Sequence, residues 1–332
     1  MYIFKYILKR IGLMILTFAI LMTICFVLVK LLPTTPLEQL GKDVELILRR
    51  RVALHQMYIN EAGEYVATPI LEQYVYFLYY AFQGDFGVGE TIYRMQNVWD
   101  VFAQKLPYTV AVNLYSIIIS IPVGLGLGII AAIKKNKWPD HVISVGIMVI
   151  VSVRSFIYGF LVQYLFCFVL QWFPATMDAT QGPFSWVGFY SMIPAVLCLA
   201  FGSIAGFARY SRAELTEVLT SDYMLLARTK GLTRGQATLR HALRNAMVPI
   251  FPMILGEFVA IMSGSLILEQ MFSIPGVGQL YVQSITATYP DYNFFMLLSG
   301  FYMLLGLTAN IVIDISCLLY TSPSPRDTER AR

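Results

Sequence analysis

Six stretches of this chain are long and apolar enough to cross a lipid bilayer, and that pattern restricts the fold more than any single motif. Crossing takes about 20 residues of helix, and the stretches 10–32, 106–133, 141–172, 188–208, 247–270 and 293–318 reach that length. Lipid offers backbone groups no hydrogen-bond partners, so such stretches fold as helices. Composition agrees: 57% of residues are hydrophobic and 13% charged, where a soluble domain carries about 25% charged residues. The expected fold is all-α, a polytopic membrane helical bundle with six transmembrane helices. The first stretch follows Lys9 and Arg10, is too long for a signal-peptide core and has no small-residue cleavage site after it, so it reads as a retained span.

Basic residues set the orientation. Lys5, Lys9 and Arg10 precede the first span; Lys134, Lys135 and Lys137 follow the second; Arg209, Arg212, Arg228, Lys230, Arg234, Arg240 and Arg244 follow the fourth. The loops 173–187 and 271–292 carry no Lys or Arg. The excess of positive charge on cytoplasmic loops then places the N-terminus, 134–140 and 209–246 inside. Splitting the long third stretch into two spans would move the basic loop 209–246 outside, so one long, tilted or kinked helix is expected there.

The chain divides into an N-terminus with the first span (1–32), an external lobe (33–105), a five-helix core (106–316) containing the cytoplasmic loop 209–246, and a tail (317–332). The lobe includes Arg49, Arg50 and Arg51, but long loops translocate largely regardless of charge. The amphipathic run from Leu71 to Phe82 suggests a lobe lying on the membrane, and Gly84-Asp85-Phe86-Gly87 reads as a turn. Pro107 is expected in the first turn of the second span, where its missing N–H costs nothing. The polar, Pro-rich end from Thr321 reads as a disordered or non-native tail.

Local rules give the loop 209–246 a shape. Thr220 or Ser221 is placed to cap a short helix with Asp222 in its first turn. Arg228 and Lys230 suit that helix's C-terminus, and Gly231 suits the left-handed position beyond it. Thr233 with Gln236 makes a capping box for a second short helix. The plain alternative is a basic loop resting on anionic headgroups.

Several chemistries find no support. No Gly-x4-Gly-Lys-Ser/Thr sequence is present, so ATP hydrolysis, if the function uses it, belongs to another chain. Gly124-Leu-Gly-Leu-Gly128 lies inside a span with no strand before it and reads as close helix packing. His55, His141 and His241 are scattered, and Cys25, Cys167, Cys198 and Cys317 lie in apolar stretches, so neither metal ligation nor a nucleophile–base pair is expected. No catalytic residue, bound cofactor or nucleic-acid partner is expected. Arg154 and Glu257 are ionisable groups inside spans, each costing about 2.5–3.5 kcal/mol on insertion scales. At 1.5 Å per residue both fall near mid-membrane. They read equally as a buried ion pair or as part of a translocation path.

The loop resembles the "EAA" loop of binding-protein-dependent permeases, the membrane subunits of type I ABC importers. Asp222-Tyr223, Ala227 through Leu232, and His241 through Ala246 with Pro249 are similar to the dipeptide/oligopeptide/nickel subfamily. So are Gly84 through Gly87, Leu106-Pro107-Tyr108-Thr109, Glu269 through Gly278, and Asn310 with Asp314, while the long external segment resembles the B-type member of the permease pair. Three features depart from the pattern: Leu225 stands at the eponymous glutamate, Arg154 stands where a proline is usual, and the Asp-Pro-Arg ending is missing.

The resemblance implies a six-helix permease of a bacterial inner (cytoplasmic) membrane importer, most simply for di- or oligopeptides, working by alternating access. It implies a second permease in a heterodimer, two ATP-binding subunits and an external substrate-binding protein. It also assigns ATPase coupling to Asp222, Tyr223, Ala227, Lys230, Gly231, Leu232, His241, Arg244 and Asn245. The rival class is an ion-gradient-driven secondary transporter or channel, which predicts inverted repeats; none is visible.

Overall fold

The computed structural model describes residues 2–31, 44–61, 63–222, 224, 229, 231, 233–238, 242–287 and 289–320. Helix α1 (Tyr2–Leu31) leads to the lobe: α2 (Val44–Ala53), an antiparallel hairpin of β1 (Met57–Ile59) and β2 (Tyr65–Ala67), and α3 (Ile70–Phe82). Met57 pairs with Ala67 and Ile59 with Tyr65. The turn between them closes on Asn60, whose side-chain oxygen accepts the Glu64 N–H at 2.8 Å. Helix α3 lies along α1 through aromatic contacts: Tyr74 and Phe77 sit 5.1 and 5.5 Å from the Phe26 ring. The expected glycine turn forms, with φ of +79° at Gly84 and +85° at Gly87, a region that only glycine enters without strain.

Helix α4 (Val98–Ile133) starts earlier than expected. Pro107 therefore sits inside the helix rather than in its first turn, where it removes one backbone hydrogen bond. The third stretch, expected as one long tilted or kinked helix, is broken rather than continuous. It breaks into α5 (Trp138–Ser152) and α6 (Ser155–Val162), the latter continued by wide π-helical turns over Gln163–Val169, and the two parts are bent by 101°. The break falls where Val153 and Arg154 turn extended, with ψ of 132° and 143°.

Helix α7 (Trp186–Leu219) is followed by α8 (Arg234–Ala237), α9 (Leu243–Gly264), α10 (Leu266–Met271), α11 (Val277–Thr286) and α12 (Tyr292–Tyr320). Among the described residues, α1, α4, α7 and α12 are long and apolar enough to cross a membrane, and the bent α5–α6 pair makes a fifth if it counts as one span. Helix α9, with Pro249 and Pro252 inside it, occupies most of the remaining expected stretch. Helix α12 runs on through 317–320, the first residues of the expected tail; 321–332 lie outside the described residues.

The chain forms two compact units, Met1–Val110 with Glu269–Leu307, and Ala111–Leu268 with Thr308–Arg332. In the first, Val98, Phe102, Leu280, Phe294 and Leu298 make a buried core. Two buried carboxylates organise its loops. Glu269 accepts the N–H groups of Gly278 (2.8 Å) and Gln279 (3.2 Å) at the start of α11, while Thr109 accepts that of Val277 (2.7 Å). Asp291 accepts the N–H groups of Glu90, Thr91 and Ile92 through one oxygen, at 2.8, 2.8 and 3.2 Å. The motif Glu269–Gly278 is thus a helix cap, and a side chain at Gly276 would collide with Glu269 and Thr109.

In the second unit α7 packs against α5, α6 and α9. The glycine triplet in α4 serves close packing, as expected. A Cβ at Gly124 would sit 2.7 Å from the Phe207 Cβ, and one at Gly128 would sit 2.7 Å from the Ala208 carbonyl and nearer still to the Ser211 hydroxyl. Gly126, on the other face, meets nothing.

Candidate functional site

Helix α7 does not stop where its apolar stretch stops. It begins at Ser185, whose side chain accepts the Gly188 N–H at 3.0 Å, and continues past residue 208 through Arg209, Arg212, Glu214 and Glu217 to Leu219. At 1.5 Å per residue its 34 residues span about 50 Å, well beyond the roughly 30 Å hydrocarbon core. The extension holds its course because Ala208, Ser211 and Leu215 keep one face buried at helical spacing.

The extension is stapled from the side. Arg212 donates from Nε to Oδ1 of Asp140 at 2.5 Å and from Nη2 to Oδ2 at 2.9 Å, a two-pronged fork. Asp140 is 1% exposed. It also accepts the Asn136 N–H at 2.9 Å, which binds the short basic loop 134–137 to the same carboxylate. One ion pair thus joins the start of α5 to the end of α7, across a sequence separation that leaves no local signal.

Beyond α7 the chain turns as expected in part. Thr220 closes α7, its N–H reaching the Glu217 carbonyl at 3.1 Å. The Ser221 hydroxyl donates back to the Val218 carbonyl at 2.6 Å; most of the short helix expected to follow it, 223 and 225–228, lies outside the described residues. Gly231 has φ of +87°, the left-handed break. Thr233 and Gln236 form the reciprocal capping box, with the Thr233 N–H on the Gln236 side-chain oxygen (3.2 Å) and the Gln236 N–H on the Thr233 hydroxyl (3.4 Å). Behind it Ala237, Ala242 and Ala246 pack with Met224 on Leu215 and Ala132. Alanines allow close approach, so Ala237, Ala242 and Ala246 sit close on the ends of α4 and α7. This alanine face and the Asp140–Arg212 pair were not read from the sequence.

The expected site residues fall as follows. Asp222 is exposed. Arg244 and Asn245 lie in the first turns of α9, their side chains outside the described ones, and Tyr223, Ala227, Lys230, Leu232 and His241 lie outside the described residues. Arg154 and Glu257 are not brought together. Arg154 is exposed at the α5–α6 break, and Glu257 takes the Ser203 hydroxyl at 2.5 Å, so no ion pair joins them. The break re-aims the chain at Arg154, which a continuous helix would have kept inside the bundle. Among the described residues no three His, Cys, Asp or Glu side chains converge to hold a metal.

The family described as "Binding-protein-dependent transport system inner membrane component" matches residues 124–317, which contain this whole arrangement. The "Dipeptide transport system permease protein DppB" of Lactococcus lactis subsp. cremoris (strain MG1363) is 32% identical over 313 residues, 94% of this chain and 96% of that protein. The protein of the same name from Bacillus subtilis (strain 168) is 30% identical over 94% of this chain and 95% of its own length. The "Glutathione transport system permease protein GsiC" of Escherichia coli (strain K12) is 30% identical over 97% and 98%. A solved structure of an amino acid ABC transporter superposes with a TM-score of 0.52 at 18% identity, covering 66% of this chain and 94% of its own, and shares the fold. The chain therefore belongs to the inner-membrane components of binding-protein-dependent transport systems and is a permease subunit of an ABC importer.

Proposed function

We propose that the importer carries peptides and that the segment from Asp222 to Asn245 is the handle by which an ATPase subunit moves this permease. The cargo reading rests on near full-length similarity to permeases named for dipeptides in two organisms and for glutathione in a third. The coupling reading rests on one observation: a left-handed break at Gly231 and the capped turn after it, seated by alanines on the end of α7, which is itself stapled to α5 by Asp140 and Arg212. A push on the Thr233–Gln236 turn is passed to α7 through the packing of Ala237, Ala242 and Ala246.

In this mechanism a second, similar permease completes the translocation path as a heterodimer, and an external binding protein delivers cargo onto the lobe and the loop 271–292. Two ATP-binding subunits hydrolyse ATP; this chain binds no cofactor and performs no chemistry. The N-terminus and the segment 222–245 lie in the cytoplasm. Closing of the ATPases drives α7, and through Asp140 the start of α5, between outward-open and inward-open arrangements.

The test is transport in proteoliposomes holding the assembled complex. Gly231→Val places a β-branched residue at φ +87° with open space around its Cβ, so the strain falls on the backbone direction rather than on packing. Gly231→Val and Ala227→Asp are expected to leave the spans inserted and the partner permease bound, and to abolish peptide-stimulated ATP hydrolysis. Normal peptide uptake at normal ATP consumption would leave the segment as a lipid-facing basic patch. For orientation, cysteines at the exposed Thr180 and Thr286 should react with an impermeant thiol reagent from outside, and one at Thr233 should not.

A further inference from the structure

The first unit contains a cavity of about 370 Å³ between the end of α1, the lobe and the start of α12. Its wall is divided. Phe26, Phe77 and Met296 line it with apolar surface, and Lys30, Arg51 and Gln73 with polar groups. The charges around it are mostly matched: Arg50 donates from Nη2 to both Asp85 oxygens, at 2.8 and 2.6 Å, and Arg51 forks onto Glu90. Lys30 is left over. Its ammonium lies 5.5 Å over the Phe26 ring, and no carboxylate among the described residues comes within ion-pair distance of it.

A second group is also unmatched. Gln73 is 7% exposed and donates its amide to the Thr68 carbonyl at 2.6 Å, yet its side-chain oxygen is buried without a partner. A buried acceptor of that kind costs about 1–3 kcal/mol unless something donates to it. The cavity thus asks for two things on its one wall, an anion for Lys30 and a hydrogen-bond donor for Gln73.

The setting names the source. Lys30 is the penultimate residue of α1, a membrane span, so the cavity lies where hydrocarbon gives way to headgroups. Beside it α3 shows Leu71, Val75, Tyr79 and Phe82 on one uncovered face, 57% to 90% exposed. We propose that this cavity seats the headgroup of one membrane phospholipid, with its phosphodiester on Lys30 and an ammonium or hydroxyl of its head alcohol donating to Gln73. The acyl chains run along the apolar face of α3 and α1. Phosphatidylethanolamine and phosphatidylglycerol carry both features. Phosphatidylcholine carries the phosphate but has no N–H or O–H to donate.

Native mass spectrometry of the assembled transporter, titrated with each lipid, decides it. The wild-type complex should retain phosphatidylethanolamine or phosphatidylglycerol about tenfold better than phosphatidylcholine, the factor expected for one charge-assisted or buried hydrogen bond. Lys30→Gln should lower retention of both by a similar factor, and Gln73→Leu should erase the preference over phosphatidylcholine; an unchanged melting temperature confirms that each variant is folded. Millimolar inorganic phosphate should not displace the lipid. Equal retention of all three lipids by the wild type, retention unaltered in Lys30→Gln, or displacement by inorganic phosphate would each overturn the proposal, the wild-type arm doing so without any variant.

Discussion

Asp291 and Asp140 are both buried carboxylates holding a loop to a helix, and they do so with different partners. Asp291, fully buried at the start of α12, is held by three successive backbone N–H groups of Glu90 to Ile92. Asp140 is held chiefly by a guanidinium on α7 whose own side chain is 34% exposed, with a single backbone N–H, that of Asn136, beside it. Backbone donors cannot rotate away, so the Asp291 contact breaks only when the loop unfolds. A guanidinium on a long side chain separates by rotamer change and remains solvated when it does. The first arrangement suits a part that must stay fixed, the second a joint that carries a stroke.

The largest effect is expected at Asp291. Asp291→Ala strands three N–H groups, that of Glu90 buried and those of Thr91 and Ile92 half-buried, and at about 1–3 kcal/mol for a buried unsatisfied group and less for the other two a loss of about 3 kcal/mol is expected in denaturant titrations of the purified complex. Asp291→Asn, which keeps an acceptor oxygen, should recover part of it. The same residue gives a pH signature. Burial pushes its carboxyl up to about 6, the negative charge of Glu90 adding to the rise and the N–H groups of Thr91, Ile92 and Glu90 opposing it. An unfolded Asp titrates near 3.9. Between about pH 4 and 6 the folded protein therefore holds a proton that the unfolded chain has released, and stability falls as pH rises through that window. The slope should vanish in Asp291→Asn; an unchanged slope would place the titrating group elsewhere.

A smaller effect on stability and a larger one on function are expected at Asp140. Asp140→Ala leaves Arg212 partly in water, so the loss should stay near about 1–3 kcal/mol. ATP consumed per peptide imported should rise, because the stroke no longer reaches α5. Arg212→Lys keeps the charge but loses the fork and should fall between. If Asp140→Ala destabilises as much as Asp291→Ala with coupling intact, the distinction between fixed part and joint fails. The smallest effect is expected at Arg49, whose pair with Glu45 is 70% and 71% exposed. Arg49→Ala should change stability by less than about 0.5 kcal/mol.

What the sequence made legible follows the range of the forces involved. The Gly84–Gly87 turn, the Gly231 break and the Thr233–Gln236 box are set by neighbours a few residues away, and each could be read directly; the Gly124/Gly128 face packs on Phe207 and Ser211 of another helix but shows itself in the spacing of its glycines. The extension of α7 was hidden because hydropathy falls at Arg209, although the buried face Ala208, Ser211, Leu215 carries the helical period onward. The α5–α6 break has no glycine or proline to announce it; Arg154, the charged residue in an apolar run, marks it. The Asp140–Arg212 and Glu90–Asp291 contacts join positions 72 and 201 residues apart, and a single sequence holds no trace of such pairings.

If an ATPase subunit grips the segment after α7, the two chains come within cross-linking distance there. In a complex lacking the native cysteines, a cysteine at Gln236, exposed beside the capping box, is treated with a short bifunctional maleimide, and one at the exposed Thr286 serves as the reference. The account predicts an adduct between this chain and the ATPase subunit from position 236, changing in yield when ATP binds, and none from 286. An assembled, transport-competent complex that gives no ATPase adduct at 236, or gives it equally at 286, would contradict it.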